Sequence, residues 1–113
     1  MLFEVLTIPP FNRQLKRLIK KYPDFKKDMY NLEDSLSTNP QQGVAIGQCC
    51  YKIRIALRSK GKGKSGGARV ITYLYRSQQK VYLLAVYDKS EVATILDSQI
   101  EERLKHIPDD MNP

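Results

Sequence analysis

The side chains of this 113-residue chain that could do chemistry are mostly cations, and they are bunched. Between Ser35 and Tyr87 there is no Asp or Glu, while Lys52, Arg54, Arg58, Lys60, Lys62, Lys64, Arg69, Arg76 and Lys80 give that stretch nine positive charges. The whole chain carries +7, so the entire surplus sits in its middle and the remainder is slightly acidic. A localised field of this kind favours a polyanion, RNA or DNA first; the alternative is a merely solvated, lysine-rich loop. Other chemistries find little support. No Ser-His-Asp set, paired-carboxylate site or metal cluster is readable. The single histidine, His106, falls near the end of the last predicted helix, where an imidazolium complements the helix dipole. Cys49 and Cys50 are adjacent, point to opposite faces of a predicted strand, and read as reduced structural thiols. No metal or cofactor is expected, and any catalysis must rest on Arg, Lys and Tyr. One reaction suits that kit. RNA carries its own nucleophile, the 2′-hydroxyl, so cleavage needs in-line positioning, help with proton transfer and stabilisation of a doubly charged phosphorane. Crowded lysines depress one another's pKa, which suits one of them to act as a base near neutral pH.

The segment from Ser59 to Gly67 holds four of the six glycines and three of the lysines. Its Gly63-Lys64-Ser65 ending resembles that of a phosphate-binding P-loop, but the required first glycine falls at Arg58. The segment also joins two strands instead of opening a helix, so nucleotide binding is rejected. Arg58, Lys60, Lys62 and Lys64 are instead expected to form a cationic strap that contacts phosphates without reading bases; the plain alternative is a hairpin tip with no role.

The elements that must position these residues can be read from periodicity. Leu2 to Leu6 reads as a short strand before Pro9-Pro10. Phe11, Leu15, Leu18, Ile19 and Tyr22 trace the apolar stripe of a helix whose other face is basic, and Pro23 ends it. Phe25, Met29, Leu32 and Leu36 mark a second helix that stops before Asn39-Pro40, completing a helical hairpin. The period then changes. Cys49, Tyr51, Ile53, Ile55 and Leu57 alternate with Cys50, Lys52, Arg54, Ala56 and Arg58, predicting a strand with one apolar and one cationic face. Arg69–Tyr75 and Val81–Tyr87 predict two further strands, joined at Ser77-Gln78-Gln79 and covered on both faces. Ser98 and Glu101 form a capping-box pattern ahead of a helix with Ile100, Leu104 and Ile107 inward. The prediction is an α+β fold over a single domain, 1–113: an N-terminal strand and helical hairpin on a mainly antiparallel sheet of about four strands, then a C-terminal helix. The longest apolar run, Val81 to Tyr87, falls well short of the ~20 residues of a membrane helix, and the N-terminus lacks signal-peptide features. A soluble, cytoplasmic protein without membrane contact is expected.

Three stretches together carry a resemblance. Tyr51-Lys52-Ile53-Arg54, the loop Gly61-Lys62-Gly63-Lys64-Ser65-Gly66-Gly67-Ala68-Arg69-Val70-Ile71, and Leu84-Ala85-Val86-Tyr87-Asp88-Lys89-Ser90-Glu91 resemble the RelE superfamily of bacterial toxins, most closely its HigB-type branch. Asn39-Pro40 followed by Gly43 fits the same pattern. The resemblance covers almost the whole chain and implies a RelE-like fold. It also implies a ribosome-dependent endoribonuclease that cuts mRNA and is neutralised by a cognate antitoxin. Carried over by position, it assigns catalytic roles to Lys52 and Arg54 on one strand, Arg69 at the start of the next, and Lys89 after the last. The strand-face pattern agrees for Lys52 and Arg54. For Arg69 it is ambiguous, because the same face carries Ile71, Tyr73 and Tyr75 and is expected to run under the C-terminal helix. One position departs from the family: the tyrosine expected six residues beyond Lys89 is Ile95 here. Tyr87 is the candidate replacement, or else an ordinary strand-end aromatic. Two other readings stay open, a ParE-like gyrase inhibitor with the same fold and an RNA-binding module without catalysis.

Overall fold

The computed structural model describes residues 2–58, 66–92 and 94–108. Strand β1 (Glu4–Thr7) leads into helices α1 (Pro9–Lys21) and α2 (Phe25–Thr38). Strands β2 (Val44–Gly47), β3 (Cys50–Ile55), β4 (Ala68–Tyr75) and β5 (Lys80–Asp88) follow, and helix α3 (Asp97–Leu104) comes last. The sheet has five strands in the order β1-β5-β4-β3-β2, with β1 parallel to β5 and every other pair antiparallel. Among the described residues no helix is long and apolar enough to cross a membrane.

Pro9 and Pro10 occupy the first turn of α1, where the missing N–H groups cost nothing and the fixed φ is already helical. Phe11, Phe25, Met29 and Leu36 bring the helical hairpin into a core completed by Val70, Ile71, Val81, Leu83, Leu84 and Val86. β4 and β5 are buried along almost their whole length, as expected of central strands.

The structure corrects the sequence reading in three places. The sheet gains β2, which no periodicity announces. It joins β3 through Gln48 and Cys49, both in the left-handed region at φ 55° and 60°. That is the backbone of a tight hairpin turn without the usual Asn-Gly signal. Cys49 therefore lies in the turn and is exposed, and β3 starts at the buried Cys50. Finally, α3 begins two residues earlier than the Ser98–Glu101 pattern suggests. Leu96 is the N-cap, and its backbone N–H donates to Gln99 Oε1 at 2.9 Å.

β1 is too short to cover all of β5. Its pairing ends at Thr7 opposite Leu83, and two side chains take over along the open edge. Gln14 Oε1 accepts from the Val86 N–H at 3.2 Å, and Arg103 Nη1 donates to the Leu84 carbonyl at 2.6 Å and to Gln14 Oε1 at 2.8 Å. Arg103 thus ties α3 to both α1 and the sheet edge. Burial, followed by the nearby Arg13, lowers its pKa from the ordinary arginine value.

Candidate active site

Strand register assembles the site. Arg54 on β3 lies opposite Arg69 on β4, and Arg69 lies opposite Tyr87 on β5. Directly opposed residues share a face, so the three side chains form a row across the middle of the sheet. One step along, Lys52 lies opposite Ile71, which lies opposite Ala85. The other face carries Ile53, Ile55 and Asp88. It meets the helical hairpin: Ile53 and Ile55 line a cleft with Asp28 and Leu32 of α2, and the Tyr22 hydroxyl makes a long 3.4 Å contact with Asp88 Oδ2.

The row is graded in accessibility. Arg54 is exposed and Lys52 is half-buried. Arg69 is only 3% exposed and donates to the Ala68 carbonyl at 3.1 Å. Tyr87 is 6% exposed, and its hydroxyl meets no hydrogen-bond partner in good geometry among the described residues. Burial raises the Tyr87 phenol above the ordinary tyrosine pKa; the Arg69 cation and the backbone of Ile95 oppose that shift. Lys89 stands just past β5, exposed, with its backbone N–H on the Gly67 carbonyl at 3.0 Å.

Sequence reasoning missed the group that shapes the Lys89 turn. Asp88 is buried, and its Oδ1 accepts from the backbone N–H of Ser90 at 2.9 Å and from the Ser90 hydroxyl at 2.8 Å. An Asp hydrogen-bonded two residues ahead is a turn former, so the Asp88-Lys89-Ser90 tripeptide held the signal. Gly43 plays a similar part for Lys52. At φ +88° it packs so tightly that a Cβ there would lie 2.3 Å from the Lys52 carbonyl oxygen.

Arg58 does not join the row. β3 ends at Ile55, the face alternation stops with it, and Arg58 instead pairs with Asp28 Oδ1 on α2 at 2.8 Å. Lys60, Lys62 and Lys64 lie outside the described residues. No group of three His, Cys, Asp or Glu side chains that could hold a metal occurs among the described residues. The assembled groups are thus two accessible cations (Lys52, Arg54), a buried cation beside a buried phenol (Arg69, Tyr87) and a turn-borne lysine (Lys89). Such a set can bind a phosphodiester and offset negative charge developing on it.

No protein-family model matches the sequence. Among solved structures, a doubly substituted E. coli RelE toxin in the free state matches at a TM-score of 0.61 and 16% identity, over 96% of this chain and 100% of that one. The chain has the RelE fold. The isolated E. coli RelE toxin also matches, at a TM-score of 0.53 and 17% identity, over 93% of this chain and 99% of that one. The structural likeness is thus to RelE, and the likeness to the HigB branch is one of sequence motifs.

Proposed function

We propose that this chain, acting as one unit over residues 1–113, is the toxin of a type II toxin–antitoxin pair. Its activity in this reading is ribosome-dependent mRNA endonucleolytic cleavage in the cytoplasm, without metal or cofactor. The observation that carries the proposal is the register row Arg54–Arg69–Tyr87, flanked by Lys52 and Lys89. The RNA 2′-hydroxyl attacks the adjacent phosphorus, the bond to the 5′-oxygen of the next nucleotide breaks, and a 2′,3′-cyclic phosphate remains. One of Lys52 and Lys89, as the neutral amine, takes the 2′-hydroxyl proton, and the other, as the ammonium, gives a proton to the departing 5′-oxygen. Arg54 meets the phosphate directly and Arg69 adds its fixed charge from behind. Tyr87 has a specific point in its favour. It lies opposite Arg69 on the face of the row, so a phenol stands beside the cations although the family tyrosine is absent at Ile95.

The test is cleavage of mRNA on programmed ribosomes. Wild type is expected to leave 2′,3′-cyclic phosphate ends, and Arg54→Ala to be slower by roughly 10²–10³-fold, the usual cost of removing one charge-stabilising donor. Cleavage at the wild-type rate by Arg54→Ala removes the row from the chemistry. The burial of Arg69 and Tyr87 favours a second reading, an RNA-binding protein that does not cut; ribosome binding with no cleavage product would select it. A gyrase inhibitor of the same fold would stop DNA synthesis before protein synthesis in pulse-labelled cells, and the opposite order is expected.

A further inference from the structure

β4 runs past the end of β3, and aromatic side chains gather there. The last β3–β4 pair is Cys50 opposite Tyr73, so Leu74 and Tyr75 continue with no β3 residue opposite them. Tyr73 and Tyr75 follow Arg69 and Ile71 on the face of the cationic row, and Tyr73 stands one same-face step, about 7 Å, beyond the residue opposite Lys52. Their rings pack edge to face, with centroids 5.8 Å apart and planes at 64°. Both are half-buried and help to line a depression of about 290 Å³, together with Cys49, Tyr51, Arg76 and Ser77. Arg76 is exposed, and its guanidinium is held by Gln41 Oε1. The rings pack against the core on one side, and the rest of each remains open to solvent at the edge of the sheet.

We propose that Tyr73 and Tyr75 form a base-stacking subsite for an RNA nucleotide next to the one whose phosphate lies on Lys52 and Arg54. The occupant follows from charge and shape. No acidic residue lies between Ser35 and Tyr87, so every charged side chain flanking the depression on β3 and β4 is a cation. A cationic track that continues into open aromatic rings is how single-stranded nucleic acid is held without base-pair readout. The inference rests on the RNA-directed reading above but does not depend on cleavage.

Binding of hexaadenylate RNA, intact or with one internal abasic site, tests it at fixed salt. Stacking is expected to give wild type roughly 5- to 150-fold higher affinity for the intact strand. Tyr73→Leu and Tyr75→Leu should shrink that ratio towards one, whereas Tyr73→Phe and Tyr75→Phe should keep it. Arg54→Ala should weaken both strands alike. If the leucine variants fold poorly, fluorescence decides. The chain has no tryptophan, so Tyr75→Trp gives a clean signal that RNA should quench, while a control on α2, Tyr30→Trp, should stay bright. An unchanged ratio in folded leucine variants, absence of RNA binding, or no quenching of Tyr75→Trp overturns the subsite. Quenching by an unrelated protein instead of RNA would mark the cluster as a protein-docking patch and overturn it too. A loss of the subsite with intact mRNA cleavage leaves the nuclease reading standing; tyrosine-dependent RNA binding without cleavage does the reverse.

Discussion

Arg54 and Arg69 are neighbours in the same row, yet they should fail differently when truncated. Arg54 is exposed, so Arg54→Ala should change stability by no more than about 0.5 kcal/mol while slowing cleavage. Arg69 is 3% exposed and packed against the Tyr87 ring's strand, so Arg69→Ala should lower the melting temperature as well as the rate. Thermal unfolding of the two variants side by side checks this. The cysteines offer a second contrast. Cys49 is exposed in the turn, whereas Cys50 is buried and its thiol is pushed up from 9.0 to about 11, by burial first and by Cys49 second. Iodoacetamide at pH 8 should label Cys49 quickly and leave Cys50 until the chain is unfolded, as peptide mass analysis would show. The raised thiol also sets a sign. The folded state holds the Cys50 proton more tightly than the unfolded state does. Its contribution to stability is therefore full below pH ~9 and is lost as pH rises through about 11. Denaturant titrations across that window should show a smaller alkaline loss for Cys50→Ala than for wild type.

At the scale of elements, two close fits hold the site in register. Gly43 presses against the backbone of Lys52, and Gly43→Ala adds a methyl group 2.3 Å from a carbonyl oxygen in a left-handed conformation. The expected cost is at least about 1–2 kcal/mol, with reduced activity because the strand carrying Lys52 must move. Arg103→Ala strips the Leu84 carbonyl of its donor and loosens α3, for an expected loss of about 1.5–3 kcal/mol. Chemical denaturation measures both. The same scale shows how far sequence alone reaches. Both hairpin helices are legible because their apolar stripes repeat and prolines bound them, and β4 and β5 because few polar residues interrupt them. β2 is not, because Val44-Ala45-Ile46-Gly47 is short, largely exposed and turned by Gln48-Cys49, which carries no turn signature. Lys52 and Arg54 can be paired from alternation alone. Placing Arg69 and Tyr87 beside Arg54 needs cross-strand register, which one strand's sequence does not contain. Arg58 escapes the row because the alternating pattern of residue types outlasts β3 itself.

For the molecule as a whole, charge distribution sets the behaviour towards partners. All nine cations of the acid-free stretch lie between Lys52 and Lys80. In the proposed reading an acidic or amphipathic antitoxin segment covers the face that carries Lys52 and Arg54, and a Lys52/Arg54/Lys89 triple-alanine variant should bind antitoxin more weakly, with the gap narrowing at high salt. Equal affinity at both salts would move the antitoxin to the helical hairpin. Neutralising Lys60, Lys62 and Lys64 together should lower the log–log salt slope of ribosome binding by roughly 0.7–0.9 for each phosphate that these lysines cease to neutralise. An unchanged slope would make those three lysines bystanders.

The parallel pairing of β1 with β5 has a consequence in time. Of the five strands of this sheet β1 is made first and β5 last, yet β5 lies between β1 and β4 in the finished sheet. Until residues 80–88 are made, β1 has no strand to pair with and the Arg54–Arg69 pair has no Tyr87. A nascent chain is thus unable to assemble the row before Tyr87 has been made. Closure waits on a contact between positions nearly eighty residues apart, of the kind that forms slowly. In the proposed reading, the Arg54–Arg69–Tyr87 row therefore cannot form on the ribosome that is still making β5.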